Sequence, residues 1–386
     1  MTHDEMAALV GDAVLQKIRS QEKGWKQIFS STLHRIGDWG WPRPDYVCED
    51  NKLNVTYAME FKPPGQSKRE YLTGLGQALG YLLKHNYSAL IVPRLADDKF
   101  DISSFIAKML SSDILADAPI SLIVYDETLL ESNPAGSISI AKIIKKTRTG
   151  KVIHAAGKTE TFWCWWRDTS NYELFQLLSL SDHFRDAPGD IYTNNIFPLF
   201  FKLLTSGKTL QWDGTPRRKA KTSKQSEKQN NKIPLFHLGL WNQADGRLTL
   251  KGYKLLVVGK IYGPASVEFM NYLTYLILVD GRHYDLIKEV LNFQRLNEGS
   301  IPKKSEEFLF QLEKYLDSKG LIGPRKPSAV TTGAKPSYIR DEPKLWNKLN
   351  LLERSGANYF IPNVGFCFNW ERITDILKEG NKLLGL

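Results

Sequence analysis

The chain has 386 residues, of which 42% are hydrophobic, and a formal net charge of +10. That length exceeds a single core and predicts two or three domains, and the apolar content excludes a disordered polymer. The positive balance favours a polyanionic partner such as nucleic acid.

Met6, Leu9, Val10, Ala13, Val14, Ile18, Trp25, Ile28 and Phe29 recur at helical spacing, so residues 5–33 read as one or two helices. Cys48, Cys164 and Cys367 lack CxxC spacing, which argues against a disulfide framework or zinc ribbon and for a reducing compartment. The amino terminus has no basic flank before an apolar core, and no apolar run reaches about 18 residues, so a soluble, cytoplasmic protein without membrane contact is expected.

A hairpin comes next. Along the run Asn54 to Lys62, alternation puts Val55, Tyr57, Met59 and Phe61 on one face and Thr56, Ala58, Glu60 and Lys62 on the other. Glu49 to Lys52 supply a turn that would return Asp45 alongside Glu60. Pro63-Pro64-Gly65 ends the strand. A helix over residues 68–85 follows, with Leu72, Leu75, Leu79, Leu82 and Leu83 expected on the sheet, and Gln77 and Tyr81 sharing another face. Short strands at 88–93 and 120–125 bracket a helix at 102–115. The order predicts a mixed sheet with helices on both faces.

Residues 134–165 contain Ile138, Ile140, Ile143 and Ile144, then a basic stretch, and complete or decorate this domain. Phe162 to Arg167 is densely aromatic and reads as domain-interface core. Helix is expected from Asn171 to Leu204. Residues 206–232 carry eight cations against two acids and read as a basic linker, either a solvated spacer or a strap along phosphates. Gly246 to Lys260 resembles the LTxKGxxLL run of winged-helix DNA-binding modules. Residues 324–336 read as a second linker, and a helix at 343–354 followed by alternation about Pro362-Asn363 suggests another helix and wing. The organisation expected is therefore a domain at 1–165, a connector at 166–232, and winged-helix-like modules at 233–323 and 337–386.

Two carboxylates and a lysine converging at a strand end can hold a hard divalent metal and a water. Asp45, Glu60 and Lys62, in the order P-D-x14-E-F-K, resemble the motif of the PD…(D/E)xK nuclease superfamily, over about residues 15–127. The resemblance implies a restriction-endonuclease-like α/β fold in which Asp45, Glu60 and the Phe61 carbonyl bind Mg²⁺ and Lys62 positions the attacking water. It also implies a role for Gln77 and Tyr81 as a QxxxY pair beside the metal, and an acid from the first helix, for which Glu22 is the candidate. Lys68, Arg69 and Tyr81, with Arg217, Arg218, Lys219, Lys221, Arg247 and Lys251, are the candidate contacts to DNA. The implied protein is a type II restriction endonuclease acting on double-stranded DNA, expected as a homodimer. The alternatives are a transposon- or recombination-associated endonuclease and a non-catalytic winged-helix regulator. Other chemistries lack their residues. Gly157-Lys158-Thr159 and Gly207-Lys208-Thr209 have Val152 and Lys202 where a P-loop needs glycine, and the seven histidines show no zinc-hydrolase spacing.

Overall fold

β-Branched and aromatic residues alternating over a short run pair most readily with a strand just upstream, and the turn chemistry decides the register. The computed structural model describes residues 2–37, 42–143, 161–167, 169–217, 223–242, 245–323 and 338–383. Two units result: residues 1–154 with 317–325, and residues 155–316 with 326–386.

In the first unit, helix α1 (His3–Arg19) precedes strands β1 (Leu33–Ile36), β2 (Tyr46–Asp50) and β3 (Val55–Phe61). Helix α2 (Lys68–Tyr81), strand β4 (Tyr87–Pro93), helix α3 (Ile102–Leu110), strand β5 (Ile120–Tyr125), the short helix α4 (Pro134–Ser137) and strand β6 (Ile138–Lys142) follow. The six strands lie in sequence order. β1, β2 and β3 are antiparallel, β3, β4 and β5 are parallel, and β6 returns antiparallel to β5. The Asp50 carboxylate shapes the turn after β2 by accepting from the Lys52 and Leu53 amides at 3.0 and 3.1 Å.

The alternation read along β3 holds. Val55, Tyr57, Met59 and Phe61 enter the core built with α1, and Ala58 packs on the other face against Val47 and Tyr81. β4 and β5 are buried on both faces, one against α1 and the other against α2 and α3. α2 and α3 end four and five residues before the expected helices. The expected leucine stripe holds in part: Leu75, Leu79 and Leu82 pack into the core with β4, α3 and β5. Tyr71, Gly74, Leu75, Ala78 and Tyr81 form its buried face, while Leu72 and Leu83 are exposed. Small residues at four-residue spacing let the helix approach the sheet, which leucines at those positions would prevent. β1 was unforeseen. At its edge the Gly320 carbonyl accepts from the Arg35 amide at 3.0 Å.

The second unit is mainly helical. It contains α5 (Asn171–His183), α6 (Phe197–Thr205), α7 (Lys224–His237), α8 (Leu250–Tyr262), α9 (Val267–Leu278), α10 (His283–Leu296), α11 (Ser305–Ser318), α12 (Glu342–Lys348), a hairpin of β7 (Phe360–Ile361) and β8 (Gly365–Phe366), and α13 (Trp370–Leu383). The connector and the two expected modules thus fall in one unit, apart from residues 317–323, which belong to the first. α7 occupies part of the expected basic linker, while the second linker and the Gly157-Lys158-Thr159 run fall outside the described residues. Thr249 caps α8 by accepting from the Gly252 amide at 3.2 Å. Gly252 lies against the Leu240 carbonyl, where a Cβ would collide with oxygen. The LTxKG run therefore encodes a helix start with close backbone approach.

The aromatic run is core of this unit. Phe162, Trp163 and Trp166 are buried, and Trp163 donates from Nε1 to Glu342 Oε1 at 2.9 Å. Trp346 donates from Nε1 to His283 Nδ1 at 3.0 Å, so the ring proton sits on Nε2, which donates to the Cys164 carbonyl at 2.8 Å. Burial lowers His283 to about 4 and raises Glu342 to about 8. Unfolded, Glu342 releases its proton near 4.5, so folding becomes less favourable as pH rises from 4.5 through 8. Glu342→Gln, which keeps the acceptor for Trp163 and removes the ionisation, should stabilise the protein by on the order of 3 kcal/mol at pH 8.5. In thermal melts across pH, the gain should vanish near pH 4.5.

Candidate active site

β2 and β3 pair with Tyr46 opposite Met59, which carries Asp45 to the position opposite Glu60. The Asp45 Oδ2 atom accepts from the Phe61 amide at 2.8 Å. Glu60 is 3% exposed, yet it points into a polar triangle. Lys62 Nζ lies 2.9 Å from Glu60 Oε1 and donates to Gln77 Oε1 at 2.8 Å, while the Tyr81 hydroxyl donates to Glu60 Oε2. A buried carboxylate without such partners would be prohibitively costly, so the cluster is a condition for folding as well as a candidate for chemistry.

α2 supplies two of these groups because Gln77 and Tyr81 are one turn apart. Gly74, one residue short of a turn before Gln77, gives Lys62 its space. A Cβ there would lie 2.6 Å from Lys62 Cε and 3.0 Å from Lys62 Cγ. The strand end itself is anchored, since the Lys62 amide donates to the Ile91 carbonyl at 2.9 Å and the Tyr125 hydroxyl donates to the Lys62 carbonyl at 3.0 Å.

The start of α1 adds a group that the sequence reading missed. His3 Nε2 is 3.1 Å from the Phe61 carbonyl oxygen and 3.9 Å from Asp45 Oδ2. The adjacent Asp4 carboxylate, hydrogen-bonded to Nδ1 at 3.2 Å, raises His3 to about 9 against the opposing effect of burial, with Asp45 and Phe61 assisting. The Thr2-x-x-Glu5 capping box marks where α1 begins, but nothing local says that this beginning meets β3.

Glu22 is placed elsewhere. α1 has 17 residues, so at about 1.5 Å per residue its ends are about 25 Å apart, and Glu22 lies beyond the end remote from His3. It pairs with Lys17 at 2.9 Å. Tyr81, expected at the DNA surface, is fully buried and orients Glu60 instead. Among the other cations, Lys68 is half-exposed, paired with Asp98 at 2.6 Å, and Arg69 is exposed. Arg217 is largely buried with Glu173 at 2.9 Å, Lys251 pairs with Asp280 at 2.8 Å, and Arg247 donates to the Arg185 and Gly189 carbonyls at 3.0 and 3.2 Å. All three are thus engaged with partners inside the second unit. Arg218, Lys219 and Lys221 lie outside the described residues.

Asp45, Glu60 and the Phe61 carbonyl offer oxygen donors only, the ligand type Mg²⁺ takes, with His3 Nε2 already 3.1 Å from that carbonyl. Among the described residues no group of three or more His, Cys, Asp or Glu side chains could hold a metal, so such an ion would depend on two carboxylates and a backbone oxygen. Both Glu60 oxygens already accept hydrogen bonds, but each carboxylate oxygen has a second lone pair. No protein-family model matches the chain, and no curated protein matches it.

Burial, followed by the charge of Glu60, raises Asp45 to about 7, against the Phe61 amide, His3 and Lys62. An acid with a raised pKa in the folded state makes folding less favourable as pH rises from 3.8 through 7. Asp45→Asn can still accept from Phe61. It should raise stability by on the order of 2 kcal/mol at pH 8 and leave it unchanged near pH 3.8, as denaturant titrations at the two pH values would measure.

Proposed function

We propose that the first unit is the catalytic domain of a Mg²⁺-dependent endonuclease acting on double-stranded DNA, with a restriction-endonuclease-like fold of the PD…(D/E)xK type. The observation that carries this reading is the placement of Lys62 between Glu60 and Gln77, one strand away from Asp45. The QxxxY pair on α2 thus contacts the acid and the lysine of the motif directly. A winged-helix-like reading of the second unit is supported by α12, the β7–β8 hairpin and α13 in succession. The biological role proposed is that of a type II restriction endonuclease, with two copies needed to cut both strands.

Mg²⁺, when bound, would polarise the phosphodiester and stabilise charge on the departing oxygen. Asp45, Glu60 and the Phe61 carbonyl would hold it. Lys62 has three N–H donors, two of them directed to Glu60 and Gln77. The third is available to orient a water or a phosphate oxygen for in-line attack. Tyr81 keeps Glu60 from turning, and Gln77 keeps Lys62 extended. Tight burial excludes bulk water from this corner and strengthens each interaction.

A second reading, a DNA-binding regulator without catalysis, is favoured by His3, whose ring faces the Phe61 carbonyl and Asp45 where a metal would otherwise sit. Purified protein should cut mixed-sequence plasmid and phage DNA into discrete fragments with Mg²⁺ and not with EDTA. Asp45→Ala and Lys62→Ala should each lower the rate by at least about 100-fold, the scale of losing a group that acts in the transition state. Uncut DNA in every lane, with a gel shift retained, would favour the regulator. Gly74→Ala should also slow cleavage, by at least about tenfold, because it displaces Lys62 while improving intrinsic helix propensity. Circular dichroism would verify that this variant remains folded.

A further inference from the structure

A cleft of about 250 Å³ in the second unit is lined by both aromatic and charged groups. Its back wall is Trp166, which is buried and fixed by donation from Nε1 to the Thr169 carbonyl at 2.8 Å. Trp212, half-buried, also lines the cleft and is the less buried of the two rings. The two ring centroids are 6.5 Å apart with planes inclined at 47°. Stacked rings need roughly parallel planes, so nothing flat fits between these two. A planar ligand would therefore stack on one ring only, and the less buried Trp212 is the candidate.

That platform is rigid. Leu210 and Pro216 bridge across its turn, Gln211 donates from its amide to the Thr215 carbonyl at 2.8 Å, and the Thr215 hydroxyl donates to Asp213 at 2.7 Å. Four cations line the cleft, Arg167, Arg217, Lys344 and Lys348, against the two carboxylates Glu173 and Asp341. Arg217 is occupied with Glu173, and Arg167 and Lys344 share Asp341 at 3.2 and 3.0 Å. Lys344 and Lys348 are exposed and four residues apart on α12, so they present ammonium groups on one side of the opening. The volume is below that of full cofactor pockets, which start at about 300 Å³.

We infer that this cleft binds a single unstacked nucleotide of DNA, with the base on Trp212 and the phosphate at Lys344 and Lys348. The source of the nucleotide rests on the DNA reading above, but the chemistry of the cleft does not require cleavage. An aromatic face accepts any base, and two point charges one turn apart suit a phosphate rather than a neutral ring. A duplex would deliver such a nucleotide by extruding it, as enzymes that read individual bases do.

The test is calorimetric titration of the full-length protein with each 5′-deoxynucleoside monophosphate and with 2-deoxyribose 5-phosphate, which lacks a base. At least one nucleotide should bind, and more tightly than the sugar phosphate. Trp212→Ala should weaken that binding by about tenfold or more, the scale of losing one base–aromatic stack. Trp212→Phe should largely restore it, and Lys344→Ala with Lys348→Ala should weaken nucleotide and sugar phosphate alike. The inference is overturned if no nucleotide binds, if the sugar phosphate binds equally well, or if folded Trp212→Ala binds as the parent does. Plasmid cleavage with Mg²⁺ separates the two readings. Cleavage that requires Lys62 alongside nucleotide binding indifferent to Trp212 removes only the cleft. Binding that depends on Trp212 without any cleavage removes only the nuclease.

Discussion

The carboxylate of Glu60, buried in the middle of a six-stranded sheet, is the constraint from which the rest of the first unit follows. A lone charge at that depth would cost several kcal/mol, so the chain must bring partners to both oxygens. Lys62 follows two residues later on the same face, and Tyr81 arrives from α2. Those two contacts dictate how closely α2 lies on β3, and that closeness in turn demands glycine at position 74. The parallel return through β4 fixes the helix over the strand end. The antiparallel hairpin then places Asp45 beside Glu60, where two acids in one desolvated space hold a proton that solvent would remove.

Such an arrangement is expensive for stability and useful for chemistry. Carboxylates pressed together give up folding free energy that a cation would return, a common property of sites built to bind one. His3 and Lys62 supply part of that positive charge already. The same logic explains why net charge is a poor guide to the nucleic-acid surface. Arg217, Arg247 and Lys251 carry formal positive charge, yet each neutralises or caps something within the second unit. Partners within the fold therefore bear on which cations are left for a ligand: Lys344 and Lys348 are both exposed, though Lys344 also pairs with Asp341 at 3.0 Å.

Much of the local structure was legible because it depends on short-range chemistry. The period-two pattern of residues 54–62 specified a strand and its two faces, and the spacing of Gln77 and Tyr81 specified a shared helical face, whereas the turn expected at Glu49 to Lys52 falls two residues later, with Glu49 and Asp50 continuing β2. Asp45, Glu60, Lys62, Gln77 and Tyr81 do converge, as the P-D-x14-E-F-K order and the QxxxY pair suggested. The misreadings come where spacing alone is silent. Leu72 and Leu83, expected in a packing stripe, are exposed, while Gly74 and Ala78 join Leu75 on the buried face, where at Gly74 a Cβ would meet Lys62 and Leu90. The tryptophan run contained no information about its neighbours, and only the fold shows that Trp163 and Trp346 meet Glu342 and His283 in one core.

The sequence by itself determined the strand and helix that carry the site and the pair of acids with their lysine, since these rest on alternation and helical period. Tertiary structure alone decided that His3 rather than Glu22 reaches β3, that Arg217 is interior, and that Trp212 and the α12 lysines border one cleft. Each of those facts joins residues far apart in the chain. No local periodicity encodes such a meeting, because it depends on how whole helices and strands bury their apolar faces against one another.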